Sequence, residues 1–274
     1  YDAEVNITRR NLILPNHTMT HVLNLGLRQV LPQDQVDQKG SRCDTEKMRF
    51  DFNCRQAVTG EQLKQVEAVV REQINEKLGV YCKVVPLASA KEITTLRAVF
   101  GETYPDPVRV VSVGKSVDDL LNDPTNPEWM KYSVELCGGT HLTNTSNAEA
   151  FVIAEEGGIA KGIRRVTCLT GAAAKQAIEN GIQFQLKIDN GLTLTSPDAM
   201  MKEQKLLSTQ LSDLVCSCYL KENFAVELKK MFKLAKKAAS SAGPGQLCID
   251  KANEAKTTGV KFMVFQADGL KGKQ

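Results

Sequence analysis

The sequence predicts an α+β fold: a mostly antiparallel sheet packed with long helices, followed by an α-helical hairpin extension. Three observations lead there. Short apolar or alternating runs at 49–52, 80–85, 108–113, 132–136, 148–154 and 163–169 carry strand signals. Between several of them lie segments with helical periodicity and cap residues. From Ala172 onward the helical period dominates.

In chain order, Val5 to Arg10 reads as a strand or its remnant. Pro15 is expected to break what precedes it, and Asn16 to cap a helix over residues 17–30. At about 100° per residue, His17, Thr20, His21, Asn24 and Arg28 share one sector of that helix. Met19, Val22, Leu23, Leu27 and Val30 share the opposite one. One side is thus buried, and the other presents two imidazoles, one turn apart, to a cleft. A polar loop from Pro32 to Cys43 contains Gln38-Lys39-Gly40-Ser41. Thr59 and Gln62 form a capping box for a helix to about Leu78, with Leu63, Val66, Val70 and Ile74 as its stripe.

A strand at Val80–Val85 precedes a helix from about Ser89 to Phe100, a turn at Tyr104–Pro107 and a strand at Val108–Val113. A short helix near 116–121 and a Pro/Asn loop at 122–127 lead to the strand Tyr132–Leu136. Gly138-Gly139 then supply a tight turn that lets Cys137 and His141 converge. Strands at 148–154 and 163–169 flank Gly157-Gly158 and Gly162-Ile163-Arg164-Arg165-Val166. Helices follow at Ala172–Glu179, Pro197–Ser217 and Lys221–Ala239. Their expected apolar stripes are Leu206, Leu207, Leu211 and Leu214, then Phe224, Leu228, Phe232 and Leu234. A linker at 240–245 and a strand at 260–266 end the chain. The domains expected are 1–171, a helical connector at 172–245, and the beginning of an incomplete domain at 246–274.

The chemistry is concentrated in two motifs, NHTMTH and ELCGGTH, which hold all three histidines of the chain. His17 and His21 from the first, with Cys137 and His141 from the second, make a zinc-type ligand set with chelating spacings. Either pair alone is a weak signal. Together they account for where histidine is placed, which buried structural histidines do not. A protease of the HExxH type is excluded, because the residue after the first histidine is Thr18 and not glutamate. A Walker-type phosphate loop is absent. The eight cysteines are scattered as expected of reduced cytosolic thiols, with Cys216 and Cys218 read as packing residues. No apolar run is long enough to span a bilayer, so no membrane partner is expected. Residues 173–274 hold more lysine than acid and no arginine, which favours contact with a polyanion.

NHTMTHVLN, QKGS, RFDF, LRAVFGETYPDPVRVVSVG, SVELCGGTHL and KGIRRV together resemble the editing region of the alanyl-tRNA synthetases, most closely the eukaryotic cytosolic form. The resemblance covers roughly residues 5–171, and the helical tail is more loosely similar to the connector that follows in that family. Threonyl-tRNA synthetases share the ligand skeleton but resemble this chain less, lacking the GIRRV segment. Met19 stands where the family usually has a smaller residue, so repacking on the buried side is expected. The abrupt start at Tyr1 suggests a fragment of a longer synthetase, and with no aminoacylation core, ligation is not expected from this chain alone.

The resemblance implies hydrolysis of the aminoacyl ester of tRNA(Ala) mischarged with serine, or with glycine, at a Zn2+ site in the cytoplasm. Such editing answers a physical difficulty: an apolar pocket built for alanine rejects an added hydroxyl by only about a hundredfold. A second site must accept serine and refuse alanine. Thr20 is the candidate for bonding the serine hydroxyl, the alternative being a bond back to its own helix. Gln38 would orient water or substrate, and Cys137 would serve the reaction as a ligand. The partners expected are the tRNA(Ala) acceptor end and the remainder of the synthetase. Arg164 or Arg165 would meet tRNA phosphate, as would Lys229 and Lys233, for which a solvated helix face is the alternative. A non-catalytic, zinc-stabilised tRNA-binding module is the rival reading from another class.

Overall fold

The computed structural model describes residues 3–32, 36–99, 102–241 and 244–259. It is α+β, with two antiparallel sheets where the sequence suggested one. The first helix, α1, spans Ile7–Val30. It therefore absorbs the segment read as a strand at Val5–Arg10 and runs through Pro15. Asn6 is its cap, accepting from the Arg9 amide at 2.9 Å. Pro15 costs one intrahelical bond, but tertiary contact overrides this local signal. Asn16, the expected cap, instead ties α1 to two other segments. Its Nδ2 donates to the Asp44 carbonyl at 2.9 Å, and its Oδ1 accepts from Thr170 Oγ1 at 2.8 Å.

The strands β1 (Gln38–Cys43) and β2 (Met48–Asn53) follow. The segment expected to be a polar loop is thus strand from Gln38 onward, with an irregularity in register between Gln38 and Gly40. α2 (Gly60–Asn75) has the Thr59/Gln62 capping box and ends before Leu78. β3 (Val80–Val85) precedes α3, which spans only Leu87–Glu92. The longer helix expected to Phe100 does not form. Arg97 instead gives its backbone to the sheet edge, donating to Val134 and accepting from Leu136. β4 (Val108–Val113), α4 (Val117–Asn122) and β5 (Ser133–Leu136) complete the second sheet region. β6 (Phe151–Ala160) runs straight through Gly157-Gly158, so the turn lies at 161–162, before β7 (Ile163–Thr170).

The strand orders are β1-β2-β7-β6 and β3-β4-β5. Met19, Val22, Leu23 and Leu27 of α1 pack with Leu63, Val66 and Val70 of α2 against Phe50, Phe52 and Val166 of the first sheet. Full burial of each large side chain is worth about 1.5–3 kcal/mol. Met19 takes its place there with no exposed surface. The second sheet has its own core, built on Val108, Val110, Val134, Leu120 and Trp129.

α5 (Gly171–Leu192), α6 (Pro197–Asp213), α7 (Cys218–Ser241) and α8 (Pro244–Thr258) form the helical region. The chain divides into two compact units. One comprises residues 1–181 and 215–222, the other 182–214 and 223–274. The sequence expectation drew the line at 171 and did not foresee that 215–222 returns to the first unit. In the second unit the buried stripe of α7 is Phe224, Leu228, Met231 and Ala235, whereas Phe232 and Leu234 are exposed. α8 starts at Pro244, inside the segment expected to be a linker at 240–245. The strand expected at 260–266 lies outside the described residues.

Within the first unit, Glu67 of α2 is a buried acceptor for three groups. Its Oε1 takes the Ile153 amide at 2.8 Å and Ser217 Oγ at 2.5 Å, and its Oε2 takes Arg71 Nη2 at 2.7 Å. Glu67→Leu should lower the unfolding free energy by on the order of 3 kcal/mol, because the amide and guanidinium lose their partner. Urea denaturation measures this. Burial pushes the Glu67 carboxyl above its ordinary value, against Arg71, Ser217 and the Ile153 amide. A carboxyl raised in the folded state contributes most below its unfolded pKa, and that contribution is lost as pH rises through the folded one. The wild type should therefore lose stability relative to Glu67→Gln as pH rises through the mildly acidic range.

Candidate metal centre

α1 places His17 and His21 one turn apart where it meets β5 and the loop that follows it. Ser133 Oγ donates to the His21 carbonyl at 3.1 Å, and the Leu142 amide donates to Thr18 Oγ1 at 2.9 Å. These two bonds fasten the helix to either side of the ELCGGTH loop. The result brings one ligand atom each from His17, His21, Cys137 and His141 within 4.8 Å of one another. The imidazoles crowd together: the His17 and His141 ring centroids are 4.3 Å apart, and those of His21 and His141 are 4.9 Å apart.

Each imidazole is oriented through its Nδ1. His17 Nδ1 lies 3.0 Å from the Thr140 carbonyl, His21 Nδ1 2.5 Å from Glu135 Oε2, and His141 Nδ1 3.5 Å from Thr18 Oγ1. That leaves the Nε2 atoms for the centre. His17 Nε2 is 3.5 Å from Cys137 Sγ, while the Nε2 atoms of His21 and His141 are buried without hydrogen-bond partners. Backbone or carboxylate behind the ring and an unsatisfied nitrogen in front is the arrangement of metal-ligating histidine. The donor set of one thiol and three imidazoles suits zinc. On this test the residues fit a metal ion.

In the metal-free cluster the thiol and the imidazoles shift one another's protonation. Burial pushes the Cys137 thiol up, but the neighbouring imidazoles of His141, His17 and His21 outweigh it and bring the pKa down to about 3. Burial lowers the His21 pKa, and Glu135 and Cys137 more than reverse this, raising it to about 10. The thiolate, the ligating form, is thus already favoured.

Gly139 is required for a reason the sequence did not reveal. A Cβ there would sit 2.2 Å from Cε1 of His17, whereas one on Gly138 would meet nothing within 4 Å. Arg109 Nη1 holds this loop, donating to the Cys137 carbonyl at 3.0 Å and to the Gly139 carbonyl. Gly139→Ala should displace the His17 ring and weaken metal binding by roughly tenfold or more, with the circular dichroism unchanged. Competition against a chromophoric chelator reads the effect.

Beside the ligands lies a cavity of about 440 Å³. His17, His21 and Cys137 reach its wall, as do Thr20, Asn24, Arg28 and Gln38. The five residues assigned to the polar sector of α1 therefore all border this space. Thr20 Oγ1 donates to the Asn16 carbonyl at 2.9 Å, the back-bond weighed as its alternative. Gln38 Nε2 donates to Ser41 Oγ at 3.1 Å. Arg164 and Arg165 are elsewhere, each paired within the first sheet. Arg164 contacts Glu156 with two nitrogens, and Arg165 contacts Asp51 at 2.7 Å through both Nε and Nη2. Lys229 and Lys233 are exposed on α7 of the second unit.

Sequence reasoning missed Glu135 and gave Asn24 no role. Glu135 was within reach, because two-residue alternation puts it on the same side of the chain as Cys137. Asn24 donates from Nδ2 to Glu135 Oε1 at 2.7 Å, so one carboxylate holds both helix side chains.

Residues 108–167 match the family model described as the threonyl and alanyl tRNA synthetase second additional domain. The chain is 50% identical over 238 residues to the mitochondrial alanine–tRNA ligase of Saccharomyces cerevisiae, covering 86% of this chain and 24% of that protein. It is 42% identical over 258 residues to the cytoplasmic alanine–tRNA ligase of Dictyostelium discoideum, covering 92% of this chain and 27% of that protein. With the alanine–tRNA ligase of Candida albicans it shares 49% identity over 228 residues, 83% of this chain and 23% of the relative. The chain thus spans about a quarter of the length of these relatives.

Proposed function

We propose, from the premise that this chain belongs to the alanine–tRNA ligase family, that it hydrolyses the ester of tRNA(Ala) mischarged with serine, and of that mischarged with glycine. It would act as the editing part of a cytoplasmic alanine–tRNA ligase in translation. The observation that carries this reading is the convergence of His17, His21, Cys137 and His141 beside a cavity whose wall mixes polar and apolar side chains. The cavity's volume is in the range of small-molecule sites. Three of the four ligands border it, so the centre is open on one side.

His17, His21, Cys137 and His141 would hold zinc, which supplies a Lewis acid that polarises an ester carbonyl or positions the substrate. The chain's own groups do the rest. Glu135 fixes the His21 ring, and Arg109 fixes the loop that carries Cys137. The Gln38 amide orients water or the ester, and Thr20 forms part of the wall facing the amino acid. No helix among the described residues is long and apolar enough to cross a membrane. The partners would be the acceptor end of tRNA(Ala) and the rest of the synthetase, which would supply ligation.

Lys229 and Lys233 share a face of α7 and would contact tRNA phosphate, as would Arg164 or Arg165 once released from its carboxylate. Replacing both lysines with alanine should weaken tRNA binding several-fold. The slope of log affinity against log salt should fall by about one for each lysine that meets a phosphate. Filter binding at several salt concentrations reads both.

The deciding experiment incubates the purified chain with seryl-tRNA(Ala), with and without a chelator. Serine should appear faster than in buffer, and chelation should abolish the difference. Release no faster than in buffer would replace the hydrolase with a non-catalytic, zinc-stabilised tRNA-binding module.

A further inference from the structure

Apart from the ligand nitrogen of His21, the polar face of α1 that borders the cavity carries one buried acceptor without a partner among the described residues. Thr20 has its proton on the Asn16 carbonyl, with its oxygen against the sulfurs of Cys43 and Met48 at 3.2 and 3.9 Å. His21 is held by Glu135. Asn24, next along the face, is 6% exposed. Its amide nitrogen donates to Glu135 Oε1 at 2.7 Å. The other end, Oδ1, is then buried with no donor in reach. Asn24 lines the cavity, so a ligand there can supply the missing donor. A buried amide oxygen left unpaired is costly, so a donor brought to it by a ligand gains a hydrogen bond that nothing among the described residues supplies.

The surroundings select the kind of donor. Arg28, Arg97 and Arg109 line the same cavity, together with Asp37, Glu102 and Glu135. Burial lowers the Arg28 pKa to about 10, with Arg97 lowering it further, and the guanidinium remains charged at neutral pH. Arg28 lies one turn from Asn24 on α1, and beside it a neutral hydroxyl donor meets no like-charge repulsion, as an ammonium group would. We propose that Asn24 Oδ1 accepts the hydrogen bond of the amino acid's side-chain hydroxyl, and so is the residue that separates serine from glycine and alanine in this cavity. The proposal rests on the editing reading above and shifts recognition of the hydroxyl from Thr20 to Asn24. Its physical basis is that a site built to bond a hydroxyl rejects a ligand lacking one, because the buried acceptor then stays unpaired.

The test compares kcat/KM for seryl-tRNA(Ala) and glycyl-tRNA(Ala) in the full chain, in Asn24→Leu and in the conservative Asn24→Gln. The readout is the ratio of the two constants, since losing the bond to Glu135 slows both esters alike. Wild type should favour serine by roughly tenfold or more, and Asn24→Leu should bring the ratio within about threefold of unity. Asn24→Gln should recover part of the preference. An equal fall for both esters in Asn24→Leu would confine Asn24 to positioning Glu135 and overturn the proposal. A second arm measures binding of non-hydrolysable 3′-amide analogues, seryl- and glycyl-amidoadenosine, by calorimetry on the zinc-loaded chain. If no ester is hydrolysed, the editing reading fails while the Kd ratio still decides the role of Asn24. If Asn24→Leu does not fold, the wild type is titrated with the O-methylserine analogue, which removes the donor from the ligand. Binding no tighter than glycine's supports the proposal, and binding as tight as serine's overturns it.

Discussion

Replacing Cys137 with alanine is expected to cut serine release from mischarged tRNA(Ala) by about a hundredfold or more while leaving the fold standing. Cys137 supplies the only sulfur in the ligand group and lies against all three imidazoles. The truncation removes one ligand and leaves the buried His21 and His141 Nε2 atoms with no anion between them. The fold has no comparable dependence, because Cys137 belongs to neither the α1–α2 core nor that of the second sheet. Metal content by elemental analysis and deacylation should fall together, with the urea midpoint little changed. Wild-type deacylation by Cys137→Ala would reduce the metal to a structural part at most.

The second large effect is expected at Glu135. Its carboxylate bonds His21 Nδ1 and Asn24 Nδ2, both on buried side chains. In Glu135→Ala both donors lose their partner, and the His21 ring is free to turn away from the ligand position. Metal affinity should fall by about 10- to 100-fold. Leaving these buried groups unpaired should also cost on the order of 2–3 kcal/mol of stability. Chelator competition and denaturation read the two effects separately. An unchanged metal affinity would show that the helix and loop orient His21 without the carboxylate.

The stripes that build the first unit were legible because burial there is periodic. Leu63, Val66, Val70 and Ile74 are buried on α2 as their spacing requires, and Met48–Asn53 alternates between buried and half-buried positions. Local signals misled where a single strong one stood alone. Pro15 marked a helix start, yet α1 continues upstream from a cap at Asn6. Gly157-Gly158 marked a break, yet pairing with Arg165 and Arg164 carries β6 through it. On α7, Phe232 and Leu234 fit an apolar stripe as residue types, but the face that packs is set by Phe224, Leu228, Met231 and Ala235.

The sequence by itself determined which residue types meet: three histidines confined to two motifs, and a helix with a polar sector set against an apolar one. That much follows from composition and from the fixed 3.6-residue period of the helix. Tertiary structure alone decided how the atoms face one another. Only the approach of β5 to α1 shows that Glu135 lies behind His21, that a Cβ on Gly139 would strike His17, and that the Asn24 oxygen has no donor. It likewise decided that Arg164 and Arg165 are held by Glu156 and Asp51. Such pairings join residues far apart in the chain or across strands, and their geometry depends on sheet register and helix docking, which no local pattern encodes.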